Sequence, residues 1–183
     1  SRNVAHAIAH DADETFHQFA VAVVRATIAL GAGDAETASD AFAAARQLAT
    51  ELGLAHATVL RTFLQEVEAA SAAGRIDQAR DALAAFETAV GGDVPPWSPP
   101  MIARARGALL AARGELGGAA AELEAAIADP VSLDPDRGRA QLALAAVLRR
   151  ARELRRSREA GEAALETFER IGSPPWADLA RRE

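Results

Sequence analysis

Apolar and polar positions along this chain alternate with the period of an α-helix, and the alternation itself recurs. Gly33, Gly74 and Gly114 are each followed, five residues on, by Ala38, Ala79 and Ala119. Phe42, Leu83 and Leu123 stand four residues after these alanines, and Ala45, Phe86 and Ala126 stand seven after. A small residue followed by apolar residues at i+4 and i+7 marks one face of a helix. A fourth copy reads Arg155, Ala160, Ala164 and Thr167, so the alanines lie 41, 40 and 41 residues apart. Self-similarity at a period of ~40 predicts stacked helix pairs, because one pair cannot bury its apolar face alone. No stretch sustains the period-2 alternation of a strand. The expected fold is all-α, a solenoid of antiparallel helix pairs.

Turn chemistry sets the expected boundaries. Asp11 and Glu14 have the spacing of a capping box, so a first long helix is expected from about Ala12 to Ala32, with Val4 to His10 as the tail of an earlier one. Gly33-Asp34, Gly74 and Gly114 split the following pairs. The repeats then span about 12–53, 54–92, 99–130 and 135–172 of a single domain, with 1–10 and 174–183 as partial flanking helices. The connections at 91–100 and 129–136 cannot be helical across their prolines. Pro-Pro-Trp occurs at 95–97 and again at 174–176. Proline preorganises a helix start there, and each Trp is expected to pack back on the preceding pair.

Composition narrows the chemistry. Half of the residues are apolar, but alanine dominates them, and only six Phe and two Trp are aromatic. Alanine gives strong helix propensity and lets helices approach closely. There is no Cys, which removes thiolate nucleophiles and zinc-thiolate sites. All twenty basic residues are Arg, so a lysine-bearing phosphate loop and Schiff-base chemistry are also removed. No nucleophile elbow or catalytic carboxylate pair is evident; Glu66 and Glu68 lie on different sides of one helix. We therefore expect neither an enzyme nor a cofactor. His6, His10 and His17 share a helix-like spacing, but no third ligand has metal-site spacing, and surface or packing histidines are the default.

The net charge of −6 disfavours generic nucleic-acid binding. It is unevenly spread: residues 1–98 carry 13 acids and 6 Arg, and residues 99–183 carry 13 acids and 14 Arg. Arg149, Arg150, Arg152, Arg155, Arg156 and Arg158 form a dense run. Placement in a last helical turn and i,i+4 pairs such as Arg155–Glu159 account for it without a nucleic-acid partner. The most apolar run, Phe19 to Leu30, is broken by Arg25 and Thr27 and falls short of the ~20 residues of a membrane span. With no leader pattern, a cytoplasmic protein without membrane contact is expected. The chain has no starting Met and stops at Arg182-Glu183 inside a helical pattern, which reads as a piece excised from a longer protein.

Gly, Ala, a bulky residue and Ala at these spacings resemble the tetratricopeptide repeat, whose period is usually 34. The longer period is similar to that of TPR-like arrays in large bacterial regulators. The segments Gly138–Arg152 and Ser157–Glu183 resemble the last repeats before the helix-turn-helix of LuxR-type ATP-dependent transcription regulators, the class of the maltose regulator. Over residues 1–137 the resemblance is architectural. It implies a right-handed TPR-like superhelix acting as the sensor and protein-interaction segment. A nucleotide-binding domain and a DNA-binding domain would flank it elsewhere in the parent chain, and this segment would not itself bind DNA specifically. The expected partner is a protein, a peptide or a small anionic inducer. By the same analogy, first-helix residues line the concave groove, with Arg61, Glu68, Arg104, Arg149 and Arg152 as its polar members. Arg104→Ala or Arg149→Ala is expected to weaken the inducer response of the full-length regulator while leaving the fold intact, with Arg46→Ala as a control of little effect. A stand-alone peptide-binding scaffold is the alternative, and a nucleic-acid contact through the Arg149–Arg158 run a further one.

Overall fold

The computed structural model describes residues 2–54 and 56–183, with side chains from Asp13 onward apart from residue 58. The described residues form α1 (Arg2–Ala32), α2 (Ala35–Glu51), α3 (Ala57–Ala72), α4 (Ile76–Val90), α5 (Pro99–Ala112), α6 (Leu116–Ala128), α7 (Asp134–Arg150), α8 (Leu154–Arg170) and α9 (Pro174–Arg182). Helices account for 81% of the residues, and no strand occurs among those described. The helices pack as successive neighbours. In addition α3 packs on α5, α5 touches α7, and α1 touches α9, so the two ends of the array meet.

Expected boundaries fail at three places. The connections expected at 91–100 and 129–136 end early, because α5 starts at Pro99 and α7 at Asp134, and a first helical turn accepts proline. α1 runs unbroken through Asp11, so no cap forms there. No Gly or Pro interrupts residues 2–30, and an Asp inside such a helix costs only a few tenths of a kcal/mol. His6 and His10 fall outside the described side chains. His17 Nδ1 lies 2.6 Å from the Asp13 carbonyl oxygen, and no group of three His, Cys, Asp or Glu suits a metal among the described residues.

The turns between paired helices share one geometry. Gly33, Gly74 and Gly114 adopt φ of +83°, +74° and +83°. The amide of the residue after each glycine reaches back to the carbonyl five residues earlier: Asp34 to Ala29, Arg75 to Ala70, Glu115 to Leu110. This is the Schellman closure that a left-handed residue permits. Asp34 alone among these also caps the next helix, accepting from the Thr37 amide at 3.0 Å. The fourth turn is centred on Arg152, with φ +64° and a Glu153-to-Leu148 bond, and not on Arg155. The repeat register at residue 155 is therefore three residues late, because a long polar side chain stands where the other turns carry glycine. Ser157, five residues after the turn, takes the place expected of Ala160.

Corrected in this way, the pairs cross at one register. Ala38, Ala79 and Ala119 are fully buried, and Ser157 is buried. Each faces a residue twelve positions earlier. Ala26 and Ala38 share one apolar cluster, a Cβ on Gly107 would come within 3.2 Å of the Ala119 carbonyl oxygen, and Ser157 Oγ donates to the Ala145 carbonyl at 2.9 Å. Only small side chains fit such a crossing. Among the described residues the apolar interior falls into four clusters, the largest running from α1 through α5, with smaller ones among α1–α3, α5–α7 and α8–α9.

α1 is exceptional. Phe19, Ala26 and Ala29 are buried, while Val21, Val24 and Ile28 face solvent. Counted from the turns, Val21 and Ile28 match Thr62 and Ala69 of α3, which are buried. The stretch Asp13–Ala32 is long and apolar enough to cross a membrane by length and composition, which the break at Arg25 and Thr27 does not lead one to expect.

Candidate functional site

Counting back from the turns puts polar side chains of α3, α5 and α7 on one inner face, and three of them are arginines. Arg104 of α5 is 1% exposed. Its Nε donates to Glu68 Oε1 of α3 at 2.9 Å, and its Nη1 donates to Asp136 Oδ1 of α7 at 2.9 Å and to the Asp136 carbonyl at 3.0 Å. Arg61 Nη2 donates to Asp136 Oδ2 at 3.1 Å, and Arg139 Nη2 donates to Glu68 Oε2 at 2.7 Å. The result is an alternating chain, Arg61–Asp136–Arg104–Glu68–Arg139, that ties three helices together.

The two Pro-Pro-Trp segments bracket this chain. The Arg61 guanidinium lies 5.7 Å from the Trp97 ring centre, and that of Arg139 lies 5.0 Å from Trp176. Trp176 also stacks on Phe168 of the preceding helix at 5.7 Å, as expected for a residue packing back. Each indole thus covers a terminal arginine of the chain through a cation–π contact.

The electrostatics are unbalanced. Three guanidiniums share two carboxylates, leaving one positive charge in surplus; Arg104 and Arg139 are buried, and Arg61 is 35% exposed. Burial alone would raise the Asp136 pKa, but the charge and hydrogen bond of Arg104, helped by Arg61 and Arg139, hold it below the ordinary carboxylate value. Burial likewise opposes the Arg104 charge, and Glu68 and Asp136 outweigh it to raise that pKa. Arg139 goes the other way. Burial, with the neighbouring Arg104 and Arg61 charges added to it, pushes Arg139 down to about 10 against the pull of Glu68 and Asp136.

A cavity of about 400 Å³ opens beside the chain, among α1, α3, α5, α7 and α9. Its polar lining includes Ser71, Arg104, Arg139 and, at an exposed position, Arg150; Leu30 and Trp176 contribute apolar wall. Arg104 Nη2 and Ser71 Oγ are buried without a hydrogen-bond partner, and both residues line this cavity. An arrangement of surplus charge, free donors and apolar walls can hold an anion.

The structure brings Arg61, Glu68 and Arg104 together, with Arg104 paired to Glu68 and both arginines paired to Asp136. Arg149 and Arg152 stand apart. Arg149 is exposed and pairs with Glu183 at 3.0 Å, and Arg152 is the exposed turn residue. Two more arginines of the run are held by carboxylates: Arg155 pairs with Glu159 at 2.6 Å, and Arg156 with Glu153 and Glu124. Arg46 is not a neutral position, because its Nε holds the fully buried Glu66 at 2.7 Å. Removing it would leave that carboxylate with Gln78 alone among its partners. Arg104 likewise holds Glu68 and Asp136, so Arg104→Ala is expected to cost stability.

Asp136 and Arg139 were missed as site residues. Arg139 had a signal: it lies thirteen residues before Arg152, as Arg61 lies thirteen before Gly74. With the fourth turn set at Arg155 that correspondence is lost. Asp136 had only a place in the first turn of a proline-started helix, which helix-dipole stabilisation explains equally well. No protein-family model matches this chain, and no characterised protein matches it in sequence.

Proposed function

We propose that this chain is the sensor and interaction segment of a LuxR-type ATP-dependent transcription regulator, a cytoplasmic TPR-like right-handed superhelix whose inner face binds an inducer or partner. The observation that carries the reading is the inner cavity, with its surplus positive charge and free donors, set among the first helices of successive pairs. The shared turn geometry and crossing register support the repeat character of the array. In this reading occupancy of the cavity shifts the array between two states. It does so only by binding one of them more tightly than the other. The contact between α1 and α9 is the element in a position to respond, since Leu30 at one side and Trp176 and Leu179 at the other line the same space. The segment acts by binding, and flanking domains carry the nucleotide and DNA chemistry.

The test is a mobility-shift titration of operator-containing duplex DNA with the isolated chain and with the full gene product. The full product should bind specifically and respond to its inducer, while the isolated chain should show only weak, salt-sensitive association. Specific binding by the isolated chain near the nanomolar range at physiological salt would overturn the assignment. So would a full product that has no DNA-binding activity.

A further inference from the structure

We infer that the central cavity is a site for a small organic monocarboxylate with an apolar body, anchored by Arg104 Nη2, Arg139 and Ser71 Oγ. This rests on the reading that the inner face binds a ligand, and it names the chemical class. Charge sets the valence. Arg104 and Arg139 line the cavity against Glu68, so one negative charge brings this inner lining to neutrality and a dianion overshoots. At the rim, Arg150 adds a positive charge and Glu183 a negative one.

Donor geometry sets the head group. Glu68 and Asp136 already occupy Nε and Nη1 of Arg104, which leaves Nη2 with no acceptor although the residue is 1% exposed. Ser71 Oγ is in the same condition on the neighbouring helix, with the residue 7% exposed. Buried donors without acceptors are rare and destabilising. A carboxylate presents two oxygens in a plane, one for each donor, at charge-assisted strength. Walls set the remainder of the ligand. Leu30, Ala108, Leu142, Val147, Trp176 and Leu179 offer no hydrogen-bonding side chain except the indole N–H, so the body that follows the carboxylate is apolar. At about 400 Å³ the space is at the lower end of the ~300–1,000 Å³ that enclose small ligands. A peptide helix about 10–12 Å across does not fit it.

The probes are benzoate, 3-phenylpropionate and hexanoate, each beside its amide, with inorganic phosphate as the simple-ion arm. Thermal unfolding and tryptophan fluorescence report binding, the latter because Trp176 is in the wall. The carboxylates should raise the melting temperature and perturb the fluorescence saturably, at affinities at least tenfold above their amides. Ser71→Ala removes a hydroxyl that has no partner, so it should leave the unliganded protein as stable as before and weaken carboxylates about threefold to tenfold. Arg139→Gln keeps a donor for Glu68 while cancelling the surplus charge, and should abolish the preference for carboxylate over amide. Equal binding of amide and carboxylate, response to phosphate alone, or no response to any of the three carboxylates overturns the inference. Carboxylate binding that leaves DNA binding by the full product unchanged would retain this site and sink the regulatory reading. An inducer that acts without carboxylate binding at this site would do the reverse.

Discussion

The protein has two kinds of interior, and they obey different rules. Where paired helices cross, burial rests on the absence of side chain: Ala38, Ala79, Ala119 and Gly107 let backbones approach, and the closest approach is between the two helices of one pair. Between α3, α5 and α7 the interior is ionic, and no member is satisfied without residues from another repeat. The apolar crossings repeat along the chain like a sum of local terms. The ionic chain occurs once, couples repeats that lie far apart in sequence, and leaves a charge uncompensated. Burying apolar groups stabilises almost regardless of partner. Burying charge stabilises only when geometry and counter-charge are both supplied.

The largest effect that separates the two belongs to the ionic interior. Arg104→Ala leaves Glu68 and Asp136 sharing Arg139 and Arg61 and opens a void where a buried guanidinium stood. We expect a loss of about 3 kcal/mol in denaturant unfolding, within the range for breaking a buried ion pair. A loss below about 1 kcal/mol would mean that the cluster behaves like a solvated surface pair. Next comes the alanine crossing. Ala79→Leu should cost roughly 1–3 kcal/mol by overpacking, seen as a melting temperature lower by several degrees. An unchanged melting temperature would show that the crossing register is wrong. The smallest effect lies at the turn. Arg152 holds φ +64° where three other turns use glycine. Left-handed backbone costs an L-residue roughly 1–2 kcal/mol, and the greater freedom of an unfolded glycine takes back about 0.4–1. Arg152→Gly should therefore stabilise by about 0.5 kcal/mol. A destabilised Arg152→Gly would argue that the guanidinium makes a compensating contact and that this turn is not equivalent to the others.

Some of this was legible in the residues alone. Three glycine turns, the buried alanines at positions 38, 79 and 119, and the helix pairs between them follow from propensity, period and punctuation. These act within a few residues of where they are written. The two Pro-Pro-Trp segments were visible as punctuation, while their second use, as cover for Arg61 and Arg139, was not. The fourth turn was misplaced because turn geometry is enforced by the flanking helices. Their packing obliges Arg152 to adopt the conformation that glycine adopts freely, and no local signal records this.

What the sequence determined by itself is the helix content, the pairing of neighbours and the small-residue crossings, because these follow from local propensity, spacing and turn residues. What only the tertiary structure decided is which arginines face inward and whom they meet. Glu66 and Glu68 stand two residues apart on α3, yet one is held by Arg46 of α2 and the other by Arg104 and Arg139 of α5 and α7. A charged side chain has no preferred depth of its own. Its burial depends on counter-charges delivered by other elements, and their delivery is set by how α3, α5 and α7 pack together.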